Sequence, residues 1–82
     1  MDEILQKLRD ILSEKLGIQP SLVVPEAHLV KDLGIDSLDY IEIIMELEQV
    51  YNISIPETDS EHFRTVEDVM LYVYDKELKK TA

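Results

Sequence analysis

Apolar residues recur at helical spacing in three stretches of this chain, and the first two are separated by a long segment that keeps no period. Ile4, Leu5, Leu8, Ile11, Leu12 and Leu16 trace one face of an amphipathic helix, with Lys7, Arg9, Asp10 and Glu14 between them and Gly17 as its stop. From Gly17 to Asp36 the chain carries Pro20, Pro25 and Gly34 and reads as a loop. Loops this long are uncommon in small domains and tend to be packed and functional where they occur. Leu22, Val23, Leu29, Val30, Leu33 and Ile35 are its expected anchors. A second helix is predicted from about Ser37 to Tyr51, with Leu38, Ile41, Ile44, Met45, Leu47 and Tyr51 on one broad face. Pro56 closes the next connection, and Glu57 to Phe63 has room for one short helical turn. Thr65 then stands as N-cap before Glu67 and Asp68, and Val66, Val69, Met70, Val73 and Tyr74 supply the face of a last helix. The expected fold is all-α: one domain over residues 1–82, built as a small bundle of three main helices and a short one, with a long first loop.

A chain of 82 residues supports one modest core and is too short for a deep, water-excluding active site of the usual kind, so a module is expected rather than a self-sufficient catalyst. A content of 45% hydrophobic residues keeps it among folding sequences despite a net charge of −10. That charge is segregated. Between Asp32 and His62 lie nine acids and no Lys or Arg, while the remainder carries nine acids against eight bases. Such a field repels nucleic acid and anionic lipid and favours encounter with basic protein surfaces. It also predicts carboxyl pKa values raised, on average, by folding. With no cysteine, disulfides and thiolate metal sites are excluded. No apolar run approaches the roughly 20 residues needed to cross a bilayer. Met1-Asp2-Glu3 has the wrong sign for a signal peptide, so a monomeric, cytoplasmic protein without membrane insertion is expected.

The most informative segment is Asp32-Leu33-Gly34-Ile35-Asp36-Ser37-Leu38-Asp39, a glycine turn feeding an Asp-Ser pair into a strongly periodic helix. Asp36 or Ser37 serves as N-cap. A phosphodiester built on the Ser37 hydroxyl would sit in the field of exposed backbone N–H groups and the positive end of the helix dipole. On the far side of the same helix, Asp39, Glu42, Glu46 and Gln49 follow at steps of three, four and three, giving an acidic stripe.

Leu33-Gly34-Ile35-Asp36-Ser37-Leu38 resembles the Leu-Gly-x-Asp-Ser-Leu motif of acyl carrier proteins. Asp39, Glu42, Met45-Glu46-Leu47-Glu48 and Ile55-Pro56 follow at that family's spacing without a gap, and the resemblance spans about residues 3 to 76. It implies a non-catalytic carrier with covalent 4'-phosphopantetheine on Ser37, transferred from coenzyme A by a phosphopantetheinyl transferase that docks beside Asp36. By the same resemblance, the arm bears acyl groups as thioesters, most simply in type II fatty acid biosynthesis. Asp39, Glu42, Glu46 and Glu48 would face basic patches on ketosynthase, acyltransferase, reductase and dehydratase partners. Leu29, Val30, Leu47, Ile55 and Phe63 are the implied acyl-pocket candidates.

The chain departs from the family's habit at Lys31, Tyr40, Ser60 and Phe63, with Tyr40 bulky close to where the prosthetic group would sit. These departures keep a polyketide or other specialised acyl pathway as an alternative. A cofactor-free acidic interaction domain is the alternative of a different class. A serine hydrolase is disfavoured because the chain has only His28 and His62 and no Gly-x-Ser-x-Gly elbow. A calcium module is disfavoured because no Asp-x-Asp-x-Asp-Gly loop with a trailing Glu is present.

Overall fold

The computed structural model describes residues 1–80 of the chain. Among them are helices α1 (Asp2–Leu16), α2 (Ser37–Tyr51), α3 (Glu57–Ser60) and α4 (Val66–Lys80), with no strand. This is the all-α bundle of three long helices and a short one that the periodicity predicts. No helix among the described residues is long and apolar enough to cross a membrane.

Helix α1 packs against both α2 and α4 and buries Ile4, Leu8, Ile11 and Leu12, one side of its predicted face. It stops at Gly17, whose φ of 69° is the left-handed conformation that glycine adopts without a Cβ penalty. There the Gly17 N–H donates to the Ser13 carbonyl at 2.9 Å and the Ile18 N–H to the Leu12 carbonyl at 3.3 Å, satisfying two of the helix's last acceptors.

The segment after Gly17 makes a 3₁₀ turn at Pro20–Leu22 and is then tied down at several points. Arg9 Nε donates to the Val23 carbonyl at 2.9 Å. The Val66 and Glu67 N–H groups donate to the Ala27 and Pro25 carbonyls at 3.0 Å each, and the Leu29 N–H donates to the Arg64 carbonyl at 2.9 Å. Val23, Ala27, Leu29 and Ile35 are buried and Leu33 is half-buried against the core. Leu22 and Val30, read as anchors, are instead 51% and 61% exposed, because the chain's turns at those points direct them outward.

The largest difference from the expected pattern is in α2. Its core side is Ile43, Ile44 and Leu47, while Leu38, Ile41 and Met45 are 78%, 56% and 53% exposed. Apolar residues occupy so much of this helix's circumference that periodicity alone selects no side. Packing against α1 and the first loop does. In α4, Val66, Val69, Met70 and Val73 are buried as expected, but Tyr74 is largely exposed and Tyr72 is packed inward in its place. Tyr72 lies edge-on to Phe63, with ring centroids 5.2 Å apart.

Thr65 caps α4 reciprocally with Asp68. The Asp68 N–H donates to Thr65 Oγ1 at 3.3 Å, and the Asp68 carboxylate accepts the N–H groups of Arg64 at 2.8 Å and Thr65 at 3.0 Å. At the other end, Lys79 pairs with Asp75 at 3.1 Å and Lys80 with Glu77 at 3.3 Å; Lys80 also donates to the Tyr51 carbonyl, tying α4 back to the end of α2.

Two expectations follow from this packing. Leu47 is fully buried, so Leu47→Ala should destabilise the domain by about 2–5 kcal/mol with no room for the cavity to relax cheaply, measured by urea denaturation. The amide of Arg64 holds the Asp68 carboxyl below the ordinary Asp range; burial opposes it, and the Thr65 amide and hydroxyl and the Arg64 charge add smaller lowering effects. Stability from this carboxylate is therefore present above the unfolded pKa near 3.9 and is lost as pH falls through the lower folded value. Melting temperatures followed from pH 5 downward should fall more steeply for the native chain than for Asp68→Asn.

Candidate functional site

The approach to α2 is built by one tight turn. Gly34, at φ 67°, donates its N–H to the Val30 carbonyl at 2.9 Å, and the Ile35 N–H donates to the Leu29 carbonyl at 3.1 Å. Ile35 is buried, which fixes where the chain leaves the turn. Asp36 follows in extended conformation and is the N-cap of α2; its Oδ1 accepts the Asp39 N–H at 2.8 Å, and its carbonyl accepts the Tyr40 N–H at 2.8 Å. Ser37 is thereby the first helical residue, with its side chain exposed.

The turn before it is held by a residue that spacing alone did not mark as structural. His28 Nδ1 accepts the N–H groups of Val30 at 3.2 Å and Lys31 at 3.1 Å, while the Asp32 carboxylate accepts the His28 N–H at 2.7 Å. His28 is half-buried and stands in for missing backbone acceptors. His62, the other histidine, is exposed.

Ser37 lies on the rim of two grooves. The larger, about 480 Å³, is walled by Ile41, Ile44, Met45 and Ile55 with Ser60 and Glu61. The smaller, about 330 Å³, is walled by Leu29, Val30, Ile35 and Phe63 with Asp36 and the same Ser60 and Glu61. An internal gap of about 10 Å³ lies beneath them, among Leu29, Ile43, Leu47 and Val69. The acyl-pocket candidates are thus divided. Leu29, Val30 and Phe63 border the smaller groove, Ile55 borders the larger, and Leu47 faces only the internal gap.

Tyr40 lines all three spaces. Its hydroxyl donates to the Ser60 carbonyl, joining α2 to the end of α3. From the other side, the Tyr72 hydroxyl donates to Asp59 Oδ2 at 2.7 Å. Two phenols therefore hold the short α3. Burial pushes both hydroxyls up to about 12, against an opposing effect of Arg64 on Tyr40 and with added support from the Asp59 hydrogen bond on Tyr72. Both remain protonated donors at any physiological pH.

The four acids expected to face partners occupy different surroundings. Glu42 is exposed on α2. Asp39 is half-buried at the start of α2; burial first, then the charges of Asp36 and Glu42, push its carboxyl above the ordinary Asp range. A group raised in this way is tolerated while protonated and penalises the fold once ionised, so its linkage lowers stability as pH rises from the unfolded pKa through the folded value. Burial is the first cause here, ahead of the mutual repulsion that the clustered acids predict. Glu46 pairs with Lys15 of α1 at 3.8 Å. Glu48 turns toward the connection after α2, where its Oε2 accepts the Ile55 N–H at 2.8 Å. The exposed acids of α2 lie among the exposed Leu38, Ile41 and Met45, so this face is both acidic and apolar.

Comparison with known proteins agrees with this geometry. Residues 6–73 match the family model described as a phosphopantetheine attachment site. The chain is 49% identical over 73 residues to an acyl carrier protein of Amoebophilus asiaticus, covering 89% of this chain and 91% of that protein. It is 45% identical over 74 residues to an acyl carrier protein of Rubrobacter xylanophilus, covering 90% and 91%. A third, from Syntrophobacter fumaroxidans, is 43% identical over 67 residues, covering 82% and 83%. Matched across most of its length by this family model and these relatives, the chain belongs to the acyl carrier protein family, whose members carry a covalent 4'-phosphopantetheine prosthetic group.

Proposed function

We propose that Ser37 is the attachment point of the 4'-phosphopantetheine arm and that the protein carries acyl thioesters for type II fatty acid biosynthesis. The observation that carries this reading is the position of Ser37, exposed as the first residue of α2 and bordering both grooves. The residues present suit the group. Its phosphodiester would lie at the positive end of the helix dipole, and its long chain would have apolar walls on either side. When bound, the arm supplies a terminal thiol that holds an acyl group as a thioester.

In the loading step, a bond forms between Ser37 Oγ and the phosphorus nearest pantetheine in coenzyme A. The pyrophosphate link breaks, 3',5'-ADP leaves, and the hydroxyl proton passes to a base on the transferase. Asp36 contributes twice, fixing the helix start through Asp39 N–H and offering an exposed negative charge, next to the serine in the chain, to a basic transferase surface. The groove walls give Ser37 apolar neighbours and carboxylates rather than a histidine, so the base comes from the partner.

Partner enzymes are recognised by the acidic, apolar face of α2. Glu42 and Asp39 supply charge for steering, and Leu38, Ile41 and Met45 supply surface to bury on docking. Glu46 and Glu48 add to the field while also bracing the fold through Lys15 and Ile55 N–H. The carrier acts as a cytoplasmic monomer, and its partners are the transferase and the ketosynthase, acyltransferase, reductase and dehydratase of the synthase.

Incubation with coenzyme A, Mg²⁺ and a phosphopantetheinyl transferase should add one phosphopantetheinyl group by mass spectrometry, and Ser37→Ala should abolish the addition while keeping the helical circular dichroism spectrum. Modification of the alanine variant at another residue overturns the site; absence of modification in the native chain favours a cofactor-free interaction domain. Glu42→Lys should slow association with a basic ketosynthase by about tenfold at low ionic strength, and Glu67→Lys, on α4, much less. Equal slowing by both variants would mean that only net charge is read.

A further inference from the structure

We propose that Tyr40 is a latch that bars the carried chain from the core, so that an acyl group on this protein rests in the outer groove along α2; this rests on Ser37 being the attachment point. Tyr40 is the one side chain common to both grooves and the gap beneath them, and its hydroxyl is tied to the Ser60 carbonyl, twenty residues on. The ring and this hydrogen bond join α2 to the end of α3 at the place where the grooves beside Ser37 meet the gap beneath them.

Volume rules out the core while the latch is closed, and the exposed apolar walls of the larger groove favour it over the smaller one of about 330 Å³. The internal gap of about 10 Å³ is at the threshold for one water molecule and cannot take an alkyl chain. The outer groove of about 480 Å³ falls within the range of small-molecule sites, and Ser37 is on its rim. Ile41 and Met45, more than half exposed, are walls of this groove, so a chain lying there covers apolar surface that the fold leaves open to water. Reaching the core instead requires Tyr40 to release Ser60 and swing out. Asp59, next to Ser60 and held by Tyr72, anchors the same end of α3 a second time and opposes that opening.

Tyr40→Phe keeps the ring and removes the hydroxyl, and two measurements test it. In the unloaded protein, amide hydrogen exchange at Ser60 and Glu61, whose N–H groups bond to Pro56 and Glu57 carbonyls, should quicken by roughly 2- to 12-fold, the worth of one net hydrogen bond. Unchanged exchange overturns the latch. In protein loaded with octanoyl-phosphopantetheine, with the site of loading verified by mass, methyl resonances of Ile41 and Met45 should shift in the native chain while those of Leu47 and Val69 stay. In Tyr40→Phe the Leu47 and Val69 resonances should begin to move. Core shifts in the native chain overturn the latch with the attachment site intact; loading at a residue other than Ser37 overturns the attachment site itself, and the exchange measurement still decides the latch.

Discussion

The irregular segment between α1 and α2 has to satisfy its own backbone in a protein too small to hide it, and the rest of the structure depends on how it does so. Buried peptide groups without partners are costly, and the described residues form no sheet to absorb them. The solution is to borrow the start of α4. Carbonyls of Pro25 and Ala27 take the N–H groups of Glu67 and Val66, and the Leu29 N–H is given to Arg64. Because the Thr65–Asp68 cap satisfies the neighbouring amides of α4, the two ends share one hydrogen-bonded unit. Arg9 adds a tie from α1.

The site inherits its geometry from that unit. With Leu29 and Ile35 seated in the core, the turn at Gly34 can leave in only one direction, and Asp36 is delivered to the end of α2 ready to cap it. His28 completes the turn by accepting two N–H groups that have no backbone partner in range. Ser37 is therefore held at a helix start by packing several residues away. Its own side chain is exposed and takes no part in the cap that Asp36 provides.

α3 illustrates a different balance. Four residues cannot hold a helix by their own hydrogen bonds, since nucleation is costly and propagation has no length to repay it. Two phenolic hydroxyls from the long helices on either side supply the missing constraint. The position of such an element depends on those two bonds as much as on its own.

Local chemistry made much of this protein legible in its sequence. Gly17 and the Asp36-Ser37 pair mark helix ends because left-handed glycine and carboxylate capping are decided within a few residues, and α2 begins and ends where its pattern predicts. The serine, its motif and the segregated acids were readable for the same reason. Tertiary structure alone decided which side of α2 is core, since a helix apolar on most sides has no preferred face until α1 is packed against it; Leu38, Ile41 and Met45 became surface by that choice. It also decided that Leu47 lies beneath the grooves rather than in their walls, that Glu46 and Glu48 brace the fold, and that Tyr72 rather than Tyr74 turns inward. Tyr40 could be seen in the sequence as a bulky residue near the site, but its partner is a backbone carbonyl far along the chain. Every carbonyl looks alike in a sequence, so which one a hydroxyl finds is settled only when the helices meet.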